Sequence, residues 1–279
     1  MGLLIRLASQ WVAGETMADA ITRAEEANHR GLGTILNLLG EHHAEQSAVD
    51  AAVDEYIDLL DAINARKMDA CLSIKPTQCG IMIGEEAYWR SVKRILDPVR
   101  AMDGFLWMDM ERSAFTDPTL AVYRRALAEY PNVGVAIQAN LRRTEKDVDA
   151  LLDIGGIVRL VKGAYREPPP AGMATRQETD ANYRKLLDVL FERKGRFAVG
   201  SHDSAMIEHA IRRSGGDHSR FEFQMLLGVR DPLKDDLARQ GYRVSEFIPY
   251  GPSWLPYFTR RLRERPRNVL TMVRSFVSG

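Results

Sequence analysis

Residues 33–75 read GTILNLLGEHHAEQSAVDAAVDEYIDLLDAINARKMDACLSIK, and their pattern decides the fold. An apolar run at 33–39 is followed by AVDAAVDEYIDLLDAINARK, whose apolar residues recur at helical spacing, and then by a second apolar run at 70–75. The first run is apolar at nearly every position instead of at alternate ones, as a parallel strand covered on both faces must be. The same unit recurs along the chain. Further runs stand at 105–110, 133–139, 157–162, 196–201, 221–227 and 244–250, and segments such as AYWRSVKRILDPVRAM, LAVYRRALAEY, ANYRKLLDVLFERK and SAMIEHAIRRS carry an apolar stripe at helical period between them. Strand then helix, repeated eight times, predicts an α/β fold, a (βα)8 TIM-type barrel. Residues 16–30 precede the first run with helical spacing of their own, Thr16 standing as cap and Gly31 as stop, so a short N-terminal helical extension is expected.

The chain has 279 residues, which suits one such barrel at about 250, and no shift in composition or internal repeat divides it. Residues 1–279 therefore read as a single barrel domain. Lys plus Arg and Asp plus Glu number 38 each, so there is no net attraction to nucleic acid. The two cysteines, Cys71 and Cys79, are too few for a disulfide framework and lack CxxC spacing. No apolar run is long enough to span a membrane, and Arg6 interrupts any export pattern at the N-terminus. A cytoplasmic location is expected, compatible with peripheral contact at the inner face of the cytoplasmic membrane. No HExxH or cysteine pair suggests a metal site, and no P-loop or GxGxxG follows a strand.

In a barrel of this kind, chemistry belongs at the C-terminal ends of the strands. Those ends offer Glu41, Lys75, Asp109 and Glu111, then Gln138, then Arg159, Lys162 and Tyr165, then Ser201 and His202, Glu222 and Gln224, and finally Tyr250 before a helix bearing Arg260, Arg261 and Glu264. A polar group inside an apolar run costs roughly 1 to 3 kcal/mol if left unpaired, so this concentration at one rim argues for a site. Arg159, in the middle of GIVRLVKG, needs a polar partner. Arg260 and Arg261 lie about 100° apart on a helix, with Glu264 one turn on. Paired guanidiniums suit a planar carboxylate, although the same spacing also describes a solvated helix face. Lys75 and Asp109 equally describe a rim ion pair, Gln138 a backbone partner, His202 a core histidine, and His42 and His43 a solvent-facing pair. The loop YREPPPAGM, 165–173, is stiffened by three prolines and reads as a wall or lid.

The segments LLGE (38–41), SIKP (73–76), MDMER (108–112), IQAN (137–140), RLVKGAY (159–165), GSHD (200–203), FEFQMLLG (221–228) and YGPSWLPYFTRRLRER (250–265) together resemble the proline dehydrogenase family, in that family's order and over essentially the whole chain. The resemblance implies a distorted (βα)8 barrel that binds FAD and oxidises L-proline to Δ1-pyrroline-5-carboxylate. Hydride would pass to flavin N5 and electrons to a quinone, the first step of proline catabolism to glutamate. It assigns the substrate carboxylate to Arg260, Arg261 and Lys75, with Asp109 holding Lys75, Tyr165 and Leu226 packing on the ring, and Glu264 orienting the arginines or touching the flavin. It places Arg159 near flavin N5, Gln138 at the pyrimidine edge, and Val161, Lys162, Gly163, Ala164, Ser201 and His202 along the rest of the cofactor, with Glu41 as a gate toward Arg260. Ser201 replaces a more usual Thr, and Phe247 a common Tyr. Three other readings share some of these features: an aldolase using Lys75 as a Schiff base, a flavin barrel of the methylenetetrahydrofolate reductase type, and a barrel that only binds an amino acid.

Overall fold

The computed structural model describes residues 8–165 and 167–264, with the side chains of 260 and 262–264 outside the described set. Its strands are β1 (Gly33–Leu38), β2 (Ala70–Ile74), β3 (Leu106–Met108), β4 (Val133–Gln138), β5 (Ile157–Val161), β6 (Phe197–Gly200), β7 (Phe221–Leu226) and β8 (Arg243–Tyr250). Each falls within a residue or two of its expected run. They pair in parallel in chain order, and β8 closes on β1. The helices are α1 (Met17–His29), α2 (Gln46–Arg66), α3 (Glu85–Ala101), α4 (Thr116–Glu129), α5 (Thr144–Asp153), α6 (Arg176–Glu192), α7 (Ser204–Ser214), α8 (Asp231–Arg239) and α9 (Trp254–Glu264).

Helix α1 is the expected N-terminal extension. Thr16 caps it by accepting from the Asp19 amide while the Asp19 carboxylate accepts from the Thr16 amide, a reciprocal pair that stabilises the first turn by about 1 kcal/mol. Gly31 follows at φ +77°, a left-handed conformation that a helix stop requires.

The two faces of the barrel wall bury different things. Outward, Leu36, Leu72, Val135, Leu160 and Phe223 join Leu59, Val92, Val122 and Leu187 of the helices in one apolar core. Inward, Ile35, Trp107 and Ala198 form a smaller cluster with Phe105, Ile157 and Phe247 packed against it. Gly134 makes room for that cluster, because a Cβ there would lie 2.3 Å from the Trp107 ring. Above it the inward positions turn polar, following the two-residue alternation of a strand.

Two further segments frame the mouth. Residues 8–15 lie across α9: Trp11 and Val12 pack with Leu39, Val229, Tyr257 and Phe258, and the Trp254 indole donates to Glu15 at 2.8 Å. The proline-rich loop after β5 is pinned at both ends of its arc. The Glu167 carboxylate accepts from the Ser113 amide at 2.9 Å and its hydroxyl at 2.6 Å, and the Met173 amide donates to the Asn140 carbonyl at 2.7 Å. It forms a wall. Among the described residues no helix is long and apolar enough to cross a membrane.

On the outer face of β8, Lys234 of α8 pairs with Glu246, their side chains 0% and 3% exposed. Removing one partner from a buried pair strands a charge. Lys234→Met should therefore lower stability by about 3 kcal/mol or more in urea unfolding, and K234M/E246L should recover most of that loss.

Candidate active site

The site is assembled around Asp109, immediately after β3 and 9% exposed. One of its carboxylate oxygens accepts from the Ser73 hydroxyl at 2.7 Å and from Arg159 Nη2. The other accepts from Lys75 Nζ at 3.3 Å. Arg159, 4% exposed in the middle of β5, also donates to Ser73 Oγ at 3.0 Å and to Gln224 Oε1 at 3.2 Å. Its guanidinium lies 5.0 Å from the Trp107 ring and 5.7 Å from the Phe247 ring, cation–π contacts that gain strength from desolvation. The polar partner demanded by a mid-strand arginine is thus Asp109, supplied by β3 across the barrel.

This clustering sets protonation. Burial pushes the Asp109 carboxyl up, but Lys75 and Arg159, with the Ser73 hydrogen bond, outweigh it and hold it below its ordinary value of 3.8. Burial works against the Lys75 ammonium, and Asp109 above all, with Tyr165, Glu111 and Glu41, more than reverses that, so its pKa is raised. Lys75 is thereby favoured as a cation beside Asp109. Glu111 is displaced the other way: burial raises it above its usual 4.5 despite Lys75 and the two hydrogen bonds from Thr77.

A cavity of about 280 Å³ opens above the cluster. Lys75, Asp109, Gln138, Arg159, Val161, Lys162, Gly163, Ala164, Tyr165, His202, Leu226 and Arg261 line it, so most of the expected site residues converge. Tyr165 and Lys75 both reach Glu41, at 3.5 Å and 4.0 Å. Arg261 sits with its guanidinium 5.4 Å from the Tyr257 ring. Arg260 and Glu264 belong to the same helix, α9, but their side chains lie outside the described set. The Gln138 amide donates to the Glu111 carbonyl at 2.7 Å, which leaves its carbonyl end as an acceptor. His202 Nε2 accepts from the Leu226 amide at 2.8 Å.

Lys162 and Ser201 both have partners within the chain. Lys162 is already flanked by Asp180 and, at 2.7 Å, Asp203. Ser201 accepts from the Asp203 amide at 3.2 Å where α7 begins. Ser73 was not singled out in the sequence, yet it bridges Asp109 and Arg159; its signal is the alternation that puts it on the same face as Lys75. Gly163 adopts φ +110°, and a Cβ there would lie 2.1 Å from Asn140 Oδ1. A second and larger cavity, about 470 Å³, opens at the opposite end of the barrel near Cys71, Glu222 and Arg243. Burial raises the Cys71 thiol pKa, so it is no nucleophile, and catalysis in this architecture belongs to the other end.

An α/β barrel whose mouth gathers a lysine, a buried Asp–Arg pair and a further arginine at the C-terminal strand ends defines a class: TIM-barrel enzymes. The chain belongs to the proline dehydrogenase family, whose model matches residues 20–274. It is 33% identical over 281 residues to the proline dehydrogenase of Deinococcus radiodurans, covering 98% of this chain and 91% of that one. It is 31% identical over 274 residues to proline dehydrogenase 1 of Bacillus subtilis subsp. natto, covering 97% and 90%. Its fold matches proline utilization A (PutA) from Bdellovibrio bacteriovorus with a TM-score of 0.87 at 23% identity, over 94% of this chain and 33% of that one.

Because the folded pKa of Asp109 lies below its unfolded value, the unfolded chain takes up the proton first. The resulting stability is present above pH 3.8 and is lost as pH falls through the folded value. Asp109→Asn should lower the melting temperature at neutral pH and flatten the acid limb of a melting-temperature profile. An acid limb as steep as that of the unsubstituted protein would contradict this assignment.

Proposed function

We propose that the chain uses FAD to oxidise L-proline to Δ1-pyrroline-5-carboxylate, the first step of proline catabolism to glutamate, with a quinone as electron acceptor. The observation that carries this reading is Lys75, held charged by Asp109 at the wall of a small cavity that Arg261 also lines, in a chain similar to proline dehydrogenases along nearly its whole length.

Lys75, Arg260 and Arg261 would bind the substrate carboxylate, each charge-assisted bond contributing about 1.5 to 3 kcal/mol in a dry pocket. Anchoring that end leaves the ring against Tyr165 and Leu226, and the fixed distance from carboxylate to C5 determines which carbon is presented for reaction. Glu264 would orient the arginines, and Glu41, within reach of Lys75 and Tyr165, would close the entrance. The residues present also fit the cofactor. Gly163 leaves no room for a side chain beside Asn140, whose Oδ1 is buried without a hydrogen-bond partner among the described residues. Gln138, Arg159, Val161, Lys162, Gly163, Ala164, Ser201, His202 and Glu264 would hold the flavin. Lys162, matched by Asp180 and Asp203, brings little free charge to a phosphate, so backbone amides after β5 would carry that contact. FAD held by these residues would supply the two-electron acceptor, at its N5, for the hydride that the substrate loses from C5. A lipid-soluble quinone implies peripheral contact with the inner face of the cytoplasmic membrane, for which Met82 and Ile83, exposed in the loop after β2, are suited.

Anaerobic L-proline should bleach the flavin absorbance of the FAD-loaded protein. Arg261→Met should raise the proline KM about tenfold or more while FAD stays bound. A flavin that proline leaves oxidised, or an unchanged KM, would refute the reading.

A further inference from the structure

A glutamine amide has a donor end and an acceptor end of nearly the same shape, so its neighbours decide which end faces where. Gln224 stands between two. Its Oε1 accepts from Arg159 Nη1 at 3.2 Å, and its Nε2 donates to Glu222 Oε1, two residues earlier on the inward face of β7. A carboxylate only accepts, so Nε2 must turn toward Glu222 and the carbonyl end must turn toward Arg159. Glu222 is itself held from β8, its second oxygen accepting from Ser245 Oγ at 2.7 Å and lying 3.7 Å from Arg243 Nε. Arg159 reaches Gln224 across β6, whose inward residues are the small Ala198 and Gly200.

We propose that Glu222 is a positioning residue: by fixing the orientation of the Gln224 amide, it fixes the Arg159 guanidinium at the floor of the mouth. Glu222 itself lines the cavity at the far end of the barrel, so a line of hydrogen bonds runs through the interior from one opening to the other. Without the carboxylate the Gln224 NH₂ loses its charged acceptor, and the amide is held firmly from one end only, by Arg159. The consequence for catalysis rests on the reading of Arg159 as the residue beside the flavin.

The test compares E222Q with the exchange E222Q/Q224E. In the single variant the charged acceptor becomes a neutral amide whose own NH₂ can face that of Gln224, so the hold on the Gln224 amide is weakened. In the exchange, the glutamine side chain at 222 donates to the carboxylate at 224 and accepts from Ser245, and the carboxylate accepts from Arg159, so every bond is remade at the same net charge. E222Q should lower kcat about tenfold with the proline KM within about twofold, and should raise the FAD dissociation constant of the apoprotein, read by flavin fluorescence, about fivefold. The exchange should bring both back to within about threefold of the unsubstituted protein, a rescue that a general loss of packing would not show. An E222Q protein unchanged on both readouts, or an exchange no better than E222Q, would overturn the proposal. Should E222Q fail to fold, recovery by the exchange supports it and failure of the exchange overturns it. Unsubstituted protein that proline does not reduce counts against the functional reading alone; FAD affinity and melting temperature of the variants still decide the role of Glu222.

Discussion

A guanidinium in the middle of a barrel strand stays charged even when removed from water, and only a carboxylate brought in with it makes the removal tolerable. Asp109 is that carboxylate, and much of the interior follows from its position. It takes Arg159 on one oxygen and Lys75 on the other, with Ser73 bridging the first pair. Trp107 and Phe247 flank the guanidinium with ring faces, and small residues on β4 and β6 leave space for the rings and the long side chain. The inward face thus divides into an apolar lower part around Ile35, Trp107 and Ala198 and an ionic upper part that forms the floor of the mouth.

The arrangement also fixes what each charge does. Two cations share Asp109, and Glu41 lies 4.0 Å from one of them, Lys75; Asp109 above all outweighs the cost of burying the Lys75 ammonium and raises its pKa. The aldolase alternative, open on sequence alone, gives way to the proline dehydrogenase family match along nearly the whole chain.

The parts that read directly from the sequence were those governed by local pattern. Strands covered on both faces appear as unbroken apolar runs, and the Thr16 cap with its Asp19 partner is a property of four adjacent residues. Many of the strand-end polar residues, among them Lys75, Asp109, Gln138 and Arg159, meet in one cavity, whereas Glu222 lines the cavity at the other end and Tyr250 turns out to Glu55. What escaped depends on contacts distant in the chain. Trp11 and Glu15 are buried or bonded only because α9 returns beside them. Glu167 anchors the proline-rich wall to Ser113, 54 residues earlier. Lys162 pairs with Asp180 and Asp203, 18 and 41 residues later. No periodicity announces such pairings.

The Asp109 cluster is complete before any ligand binds, and the proposed substrate carboxylate would join it at Lys75 and Arg261. A crystal structure of the protein with FAD and L-proline bound tests it most directly. The account predicts the proline carboxylate on Lys75 and Arg261, with Arg159 still hydrogen-bonded to Asp109. A carboxylate bound elsewhere, or an Arg159 released from Asp109 to meet it, would contradict it.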